Sequence, residues 1–166
     1  NVIGQAAFIE NWDGNGEPTV GDTRHITSVV LPSGLEVIEL GAFVGKYSET
    51  IIYNQLTNVD FIKATSLPTI GRGAFGHNQL TSVEIPNSVT DMYYTFKGCT
   101  SLTAAPTIPN SVTNMYSTFE GCTPLTGTIE VNANPTDYDN CLYETQITGI
   151  TGSCSQETKD ALMATK

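Results

Sequence analysis

A chain of 166 residues with 17 acidic side chains against seven basic ones, net charge −10, offers no basic face to the phosphates of a nucleic acid. It holds neither a polybasic run for anionic lipid nor an apolar stretch of spanning length, so no membrane insertion is expected. A length that would suit one globular domain is here divided into short, self-similar units.

The sequence opens inside a unit, Val2-Ile-Gly-Gln-Ala-Ala-Phe8, with no signal peptide or polar cap before it, and a piece of a longer protein is expected. An insertion follows from Glu10 to Asp22, holding the single tryptophan, Trp12, with Asp13, Asn15 and Glu17 at alternate positions. Oxygen donors spaced in this way resemble the start of a calcium loop. Pro18 stands where that loop needs glycine, and no bidentate glutamate follows at the right distance. A glycine-rich acidic turn is therefore the expectation, with calcium at Asp13, Asn15 and Glu17 the alternative. Trp12 reads either as an exposed anchor for a partner or as packing over the base of its own insertion.

A strand pattern comes next, Ile26-Thr-Ser-Val29-Val-Leu31, closed by Pro32. It returns at Leu56 to Phe61 and Leu80 to Ile85, then with small slips at Leu102 to Pro109 and Leu125 to Val131. These segments fit L-x-x-L-x-L, the strand signature of leucine-rich repeats. Val83 and Ile85 alternate with Ser82 and Glu84, which turns the first pair inward and the second outward. Pro32, Pro86 and Pro109 cannot donate to a ladder and mark where pairing stops.

Between the strands lies a block ending in Phe: Val37 to Phe43, Thr69 to Phe75, Asp91 to Phe96, Asn114 to Phe119, and a degraded copy near Leu142. Ile85-Pro-Asn-Ser-Val-Thr90 recurs almost letter for letter as Ile108-Pro-Asn-Ser-Val-Thr113, each copy followed by Met-Tyr-x-Thr-Phe-x-Gly-Cys-Thr. A period in the low twenties is too short for a unit to fold alone, so each unit must bury its apolar positions against the next and a solenoid results.

Candidate binding residues lie outside this scaffold pattern or on its outward positions. A second insertion, Val44 to Tyr53, brings in Tyr47 and Tyr53, and loops grown on one side of a regular scaffold often carry recognition. Asp60, Glu84 and Glu130 hold comparable outward places and form a partial acidic stripe, broken at Pro106-Thr107, that serves either as a binding surface or only for solvation. Tyr93, Tyr94 and Tyr116 ladder along one flank, with packing favoured over a ligand platform. His25 and His77 lack metal-ligand spacing, and no acid, base and nucleophile converge, so neither catalysis nor a cofactor is expected.

Strand, proline, valine, phenylalanine and cysteine, repeated in this order over most of Ile3 to Gly149, resemble the BspA-like leucine-rich-repeat surface proteins of bacteria. The resemblance implies a right-handed α/β-type solenoid with a parallel sheet on its concave face and short irregular or helical convex segments. Residues 1–152 would form about five coils and residues 153–166 a capping segment, where Ser155 starts a helix whose Leu162 and Met163 cover the last coil. The family pattern has cysteine as a small wall residue, so Cys99 and Cys122 are expected as buried thiols. Cys141 and Cys154 stand outside that register and flank the last strand, where either a disulfide in an exported chain or free thiols would fit.

The function implied is a non-catalytic, monomeric, extracellular adhesion module of a bacterial surface. It would recognise a protein or glycan partner on a host or neighbouring cell through the concave sheet and the insertions. The alternatives are a structural spacer in a larger surface protein, or a ligand-binding module of a phage tail.

Overall fold

The computed structural model describes residues 1–4, 26–45 and 54–166. Among them are seven short strands and one helix: β1 (Val2–Ile3), β2 (Ser28–Val30), β3 (Val37–Ile38), β4 (Asn58–Asp60), β5 (Thr69–Ile70), β6 (Thr126–Glu130), β7 (Gln146–Thr151) and α1 (Gln156–Met163). Every strand pair is parallel, as befits a chain that returns to the same place once per repeat. Where one sheet was expected, three small ones form, ordered β1-β3-β5, β2-β4 and β6-β7.

Two lines of pairing run through the repeats. The first follows the L-x-x-L-x-L segments, with Val29 opposite Val59 and Ile129 opposite Ile150. It is interrupted in the middle: residues 80–85 form no strand, and Ile108 makes only a single bridge to Val131. A change of spacing falls on the far side of this break, since Leu56 reaches Phe61 and Leu80 reaches Ile85 in five steps, whereas Leu102 reaches Ile108 and Leu125 reaches Val131 in six. Pro106 lies in the longer segment beside the break and has no N–H to offer the ladder. The second line runs through the start of each Phe block, where Ile3, Ile38 and Ile70 align and single bridges continue from Thr69 through Asp91 and Asn114 to Asp137.

The Phe blocks stack as a column. Phe43 and Phe75 are stacked at 5.2 Å, Phe75 and Phe96 at 6.0 Å, and Phe96 and Phe119 at 5.9 Å, all four fully buried. Backbone hydrogen bonds hold the blocks in step, from Phe43 N–H to Ala74, Phe75 to Thr95, Phe96 to Thr118 and Phe119 to Cys141. Leu142 takes the place of the next Phe and closes the column.

The position two before each Phe, or before Leu142, has a left-handed backbone in every described block: Gly41 and Gly73 at φ 59° and 64°, then Tyr94, Ser117 and Asn140 at 57°, 48° and 54°. Glycine is at ease there and asparagine tolerates it, whereas a tyrosine is strained. Gly71 answers a different need, since its backbone lies so close to the preceding repeat that a Cβ would sit 2.6 Å from Leu40 N.

The position just before each Phe is occupied by Ala42, Ala74, Thr95, Thr118 and Cys141, all buried. Thr118 donates its hydroxyl to Met92 O at 2.8 Å, but the Thr95 hydroxyl is buried without a partner. Thr95→Val is therefore expected to raise stability by about 1 kcal/mol while Thr118→Val lowers it by about as much, because an orphaned hydroxyl costs desolvation that a bonded one recovers. Urea unfolding of the two variants provides the comparison, and equal effects of the same sign would refute it.

At the other end, Ser155 caps α1 by accepting the Thr158 N–H at 3.1 Å. Asn134 ties this turn to the last repeats, with its Oδ1 accepting from Ser155 N at 2.8 Å and from the Thr158 hydroxyl at 3.0 Å. Leu162 is buried, and Met163 packs partly on the core.

Candidate binding groove

The interruption in the first line of pairing leaves an opening. Strand β4 pairs with β2 on one side, while on the other Ser82 to Glu84 runs beside it with no backbone hydrogen bond joining the two among the described residues. Between them lies a cavity of about 250 Å³ lined by Asn58, Val59, Asp60, Phe61, Ser82, Val83 and Glu84. It adjoins a second of about 320 Å³ that shares Phe61 and Glu84 and adds Ile62, Thr65, Ile85, Pro86 and Asn87. Val59, Phe61 and Val83 are buried and form the floor, while Glu84 is exposed and Ile62 has 75 % of its surface in solvent. Asp60 Oδ1 accepts the Ile62 N–H at 2.8 Å, which turns the chain out of the strand and lifts Ile62 onto the rim.

Of the three carboxylates read as a stripe, Asp60 and Glu84 meet in this groove and Glu130 does not. Glu130 lies past the break on β6, where it accepts hydrogen bonds from the Thr107 hydroxyl at 3.2 Å and from Asn132 Nδ2 at 3.0 Å. Trp12, Tyr47 and Tyr53, together with Asp13, Asn15 and Glu17 of the calcium alternative, lie outside the described residues. Among the described residues no three His, Cys, Asp or Glu side chains gather as a metal site.

On the flank, Tyr93 and Tyr116 stack with ring centroids 5.0 Å apart, and Tyr94 meets Tyr93 edge-on at 4.6 Å. The Arg72 guanidinium lies 4.9 Å from the Tyr94 ring centre and the Lys97 ammonium 4.8 Å. Ring and cation thus satisfy one another. The negative charge that Tyr94 would carry, and its hydroxyl contact, hold the Tyr116 phenol above its ordinary range. Partial burial pushes Glu120 up, but Lys97 at 2.8 Å outweighs it, so this carboxyl titrates below its usual value.

A ladder of polar side chains runs beside the Phe column, and sequence reasoning did not find its asparagines. Asn78, 1 % exposed, donates to Phe43 O at 2.7 Å and Phe75 O at 3.0 Å, and accepts the Leu56 N–H at 2.9 Å. Asn54 reaches Val44 O at 3.1 Å. In later repeats cysteine takes the same position, Cys99 pointing at Phe75 O at 3.4 Å and Cys122 at Phe96 O at 3.2 Å. The signal that could have exposed Asn78 is its place three residues after Phe75, where Cys99 and Cys122 follow Phe96 and Phe119, the N/C position of the leucine-rich repeat.

All four cysteines, Cys141 and Cys154 among them, are buried free thiols in this structure. Cys141 stands outside the cysteine register, at the position just before Leu142 that Thr118 holds before Phe119, and its thiol lies beside Cys122. Cys154 is held elsewhere, its N–H bonded to Val131 O at 3.1 Å.

Burial pushes the Cys122 thiol from its ordinary 9.0 up to about 12. Burial, then the neighbouring Cys122, raises Cys99 and Cys141 as well. The folded state therefore holds these protons after the unfolded chain has released them. Their stabilising effect is complete below pH 9 and is lost as pH rises from there towards about 12. A Cys122→Ala variant should show a shallower loss of urea resistance over that range than the parent chain, and identical pH slopes would contradict this.

A family model described as "BspA type Leucine rich repeat region" matches residues 53–160 in six copies. No curated protein and no solved structure matches the chain. Among the described residues no helix is long and apolar enough to cross a membrane. Repeats of this family generally serve protein interaction without catalysis. With the match covering well over half of its length, the chain belongs to the BspA-type leucine-rich-repeat family.

Proposed function

We propose that this chain is a non-catalytic binding module of a bacterial surface or secreted protein, which takes hold of a protein or glycan on a host or neighbouring cell. In this reading the repeats wind as a right-handed solenoid over residues 1–152, the L-x-x-L-x-L segments line its concave face, and residues 153–166 cap the end. The parallel pairing, the Phe column and the burial of Leu162 support that arrangement. The observation that carries the functional reading is the pair of adjoining cavities beside the free side of β4, where Asp60 and Glu84 face one opening. A packed repeat scaffold that needed only to act as a spacer has no use for a gap in its own ladder.

The test is a matrix-protein and glycan array probed with the chain, with and without calcium. Parallel arms lack residues 10–22 or 44–53, or carry Asp60→Ala with Glu84→Ala. A specific partner whose capture is lost in at least one arm is the expected result. An array on which the parent chain captures nothing would leave the spacer reading in its place.

A further inference from the structure

Resting on the binding-module reading, we infer that the groove beside β4 takes an extended peptide segment carrying a lysine or arginine and, two residues away, an apolar side chain. The host segments themselves set this pattern. Asp60 is followed two positions on by Ile62, and Glu84 by Pro86, so both walls offer an acid and then an apolar group at the same interval. In an extended chain, side chains two apart share a face and lie about 6.6 to 6.8 Å from one another. A ligand of matching conformation places its cation between the carboxylates and its apolar group against Ile62, Ile85 and Pro86.

The charges are uncompensated. Glu84 makes no hydrogen bond or ion pair among the described residues, and Asp60 uses only Oδ1, toward the Ile62 N–H. In a chain of net charge −10 such a pair attracts a cation from a distance and fixes its orientation on arrival. Unpaired backbone groups of β4 and of the Ser82 to Glu84 segment add acceptors and donors for a peptide main chain, as an open strand side does in peptide recognition. A bare metal ion is a poorer match, because among the described residues no third ligand converges here. A sugar is poorer too, since among the described residues Phe61 is the only aromatic ring lining either cavity, and it is buried and offers no stacking face.

Fluorescence anisotropy with labelled octapeptides tests the inference on the full chain. The probes are Gly-Thr-Arg-Thr-Ile-Thr-Gly-Ser, its reversed order, and versions with Glu for Arg or Ser for Ile. One of the two basic, apolar probes should bind, and a tenfold rise in salt should weaken it. Asp60→Asn with Glu84→Gln should weaken it at least about tenfold, as expected when a desolvated charge pair loses its partner. Ile62→Ser should weaken it by a smaller factor, as should the Ser-for-Ile probe. Because all three positions are at least partly exposed, an unchanged urea midpoint certifies that the variants are folded. Equal binding of the Glu probe, or indifference to the paired carboxylate substitution, overturns the inference. If the array partner is still captured by the Asp60→Asn and Glu84→Gln chain while the peptides fail, the binding-module reading survives and this inference alone falls. Silence in both experiments removes both.

Discussion

Replacing Asn78 by alanine is expected to lower the unfolding free energy by about 3 to 5 kcal/mol, since it strands several buried backbone groups at about 1 to 3 kcal/mol each, less what relaxation recovers. The groups are the Phe43 and Phe75 carbonyls and the Leu56 N–H, contributed by two successive repeats and joined through one fully buried amide. Asn78→Asp should be at least as damaging, because a carboxylate facing two carbonyls has no donor for either and would be buried with its charge. Asn78→Cys should cost less than alanine. Later repeats use that thiol at the same position, and Cys99 reaches the Phe75 carbonyl with it. The ranking is read from urea midpoints, and a loss below about 1 kcal/mol for the alanine variant would show that the ladder does not hold the repeats together.

The second large effect belongs to Phe96, which sits inside the column with rings stacked on both sides, tilted by 15° from Phe75 and 10° from Phe119. Phe96→Ala should cost about 3 to 5 kcal/mol from lost burial and the cavity left behind. Two ring pairs, each worth about 0.5 to 1.5 kcal/mol, disappear with it and place the effect toward the upper end. Phe96→Leu should be much milder, because Leu142 already fills this register at the end of the column. In a stack whose units contact only their neighbours, a gap in the middle also weakens the coupling between the two halves. Phe96→Ala is therefore expected to broaden the urea transition and lower its slope, whereas Leu142→Ala shifts the midpoint alone. A sharp, unbroadened transition for Phe96→Ala would mean that coupling between repeats does not run through the rings.

Much of this molecule was legible as letters. The four Phe residues align because the same letters recur, and a chain that repeats itself places equivalent apolar side chains in equivalent surroundings. The inward Val59 and Val83 and the helix start at Ser155 follow from period-two alternation and from the capping chemistry of serine, both of which are local. What went unread was the second line of pairing through Ile3, Ile38 and Ile70, because strands of two residues carry no detectable alternation. The asparagine ladder was missed for a similar reason, since Asn78 looks like any turn residue until the carbonyls above it are seen.

The sequence by itself determined that the units stack and which side chains fill their common core, because a recurrent pattern of apolar positions is a property of each unit alone. Only the tertiary structure decided where the ladder of strands breaks, that Asp60 and Glu84 share an opening while Glu130 does not, and that the Cys141 thiol lies beside Cys122. Those outcomes depend on how far one repeat slides along the next. That is settled by hydrogen bonds between residues some twenty positions apart, for which no single unit carries the instruction.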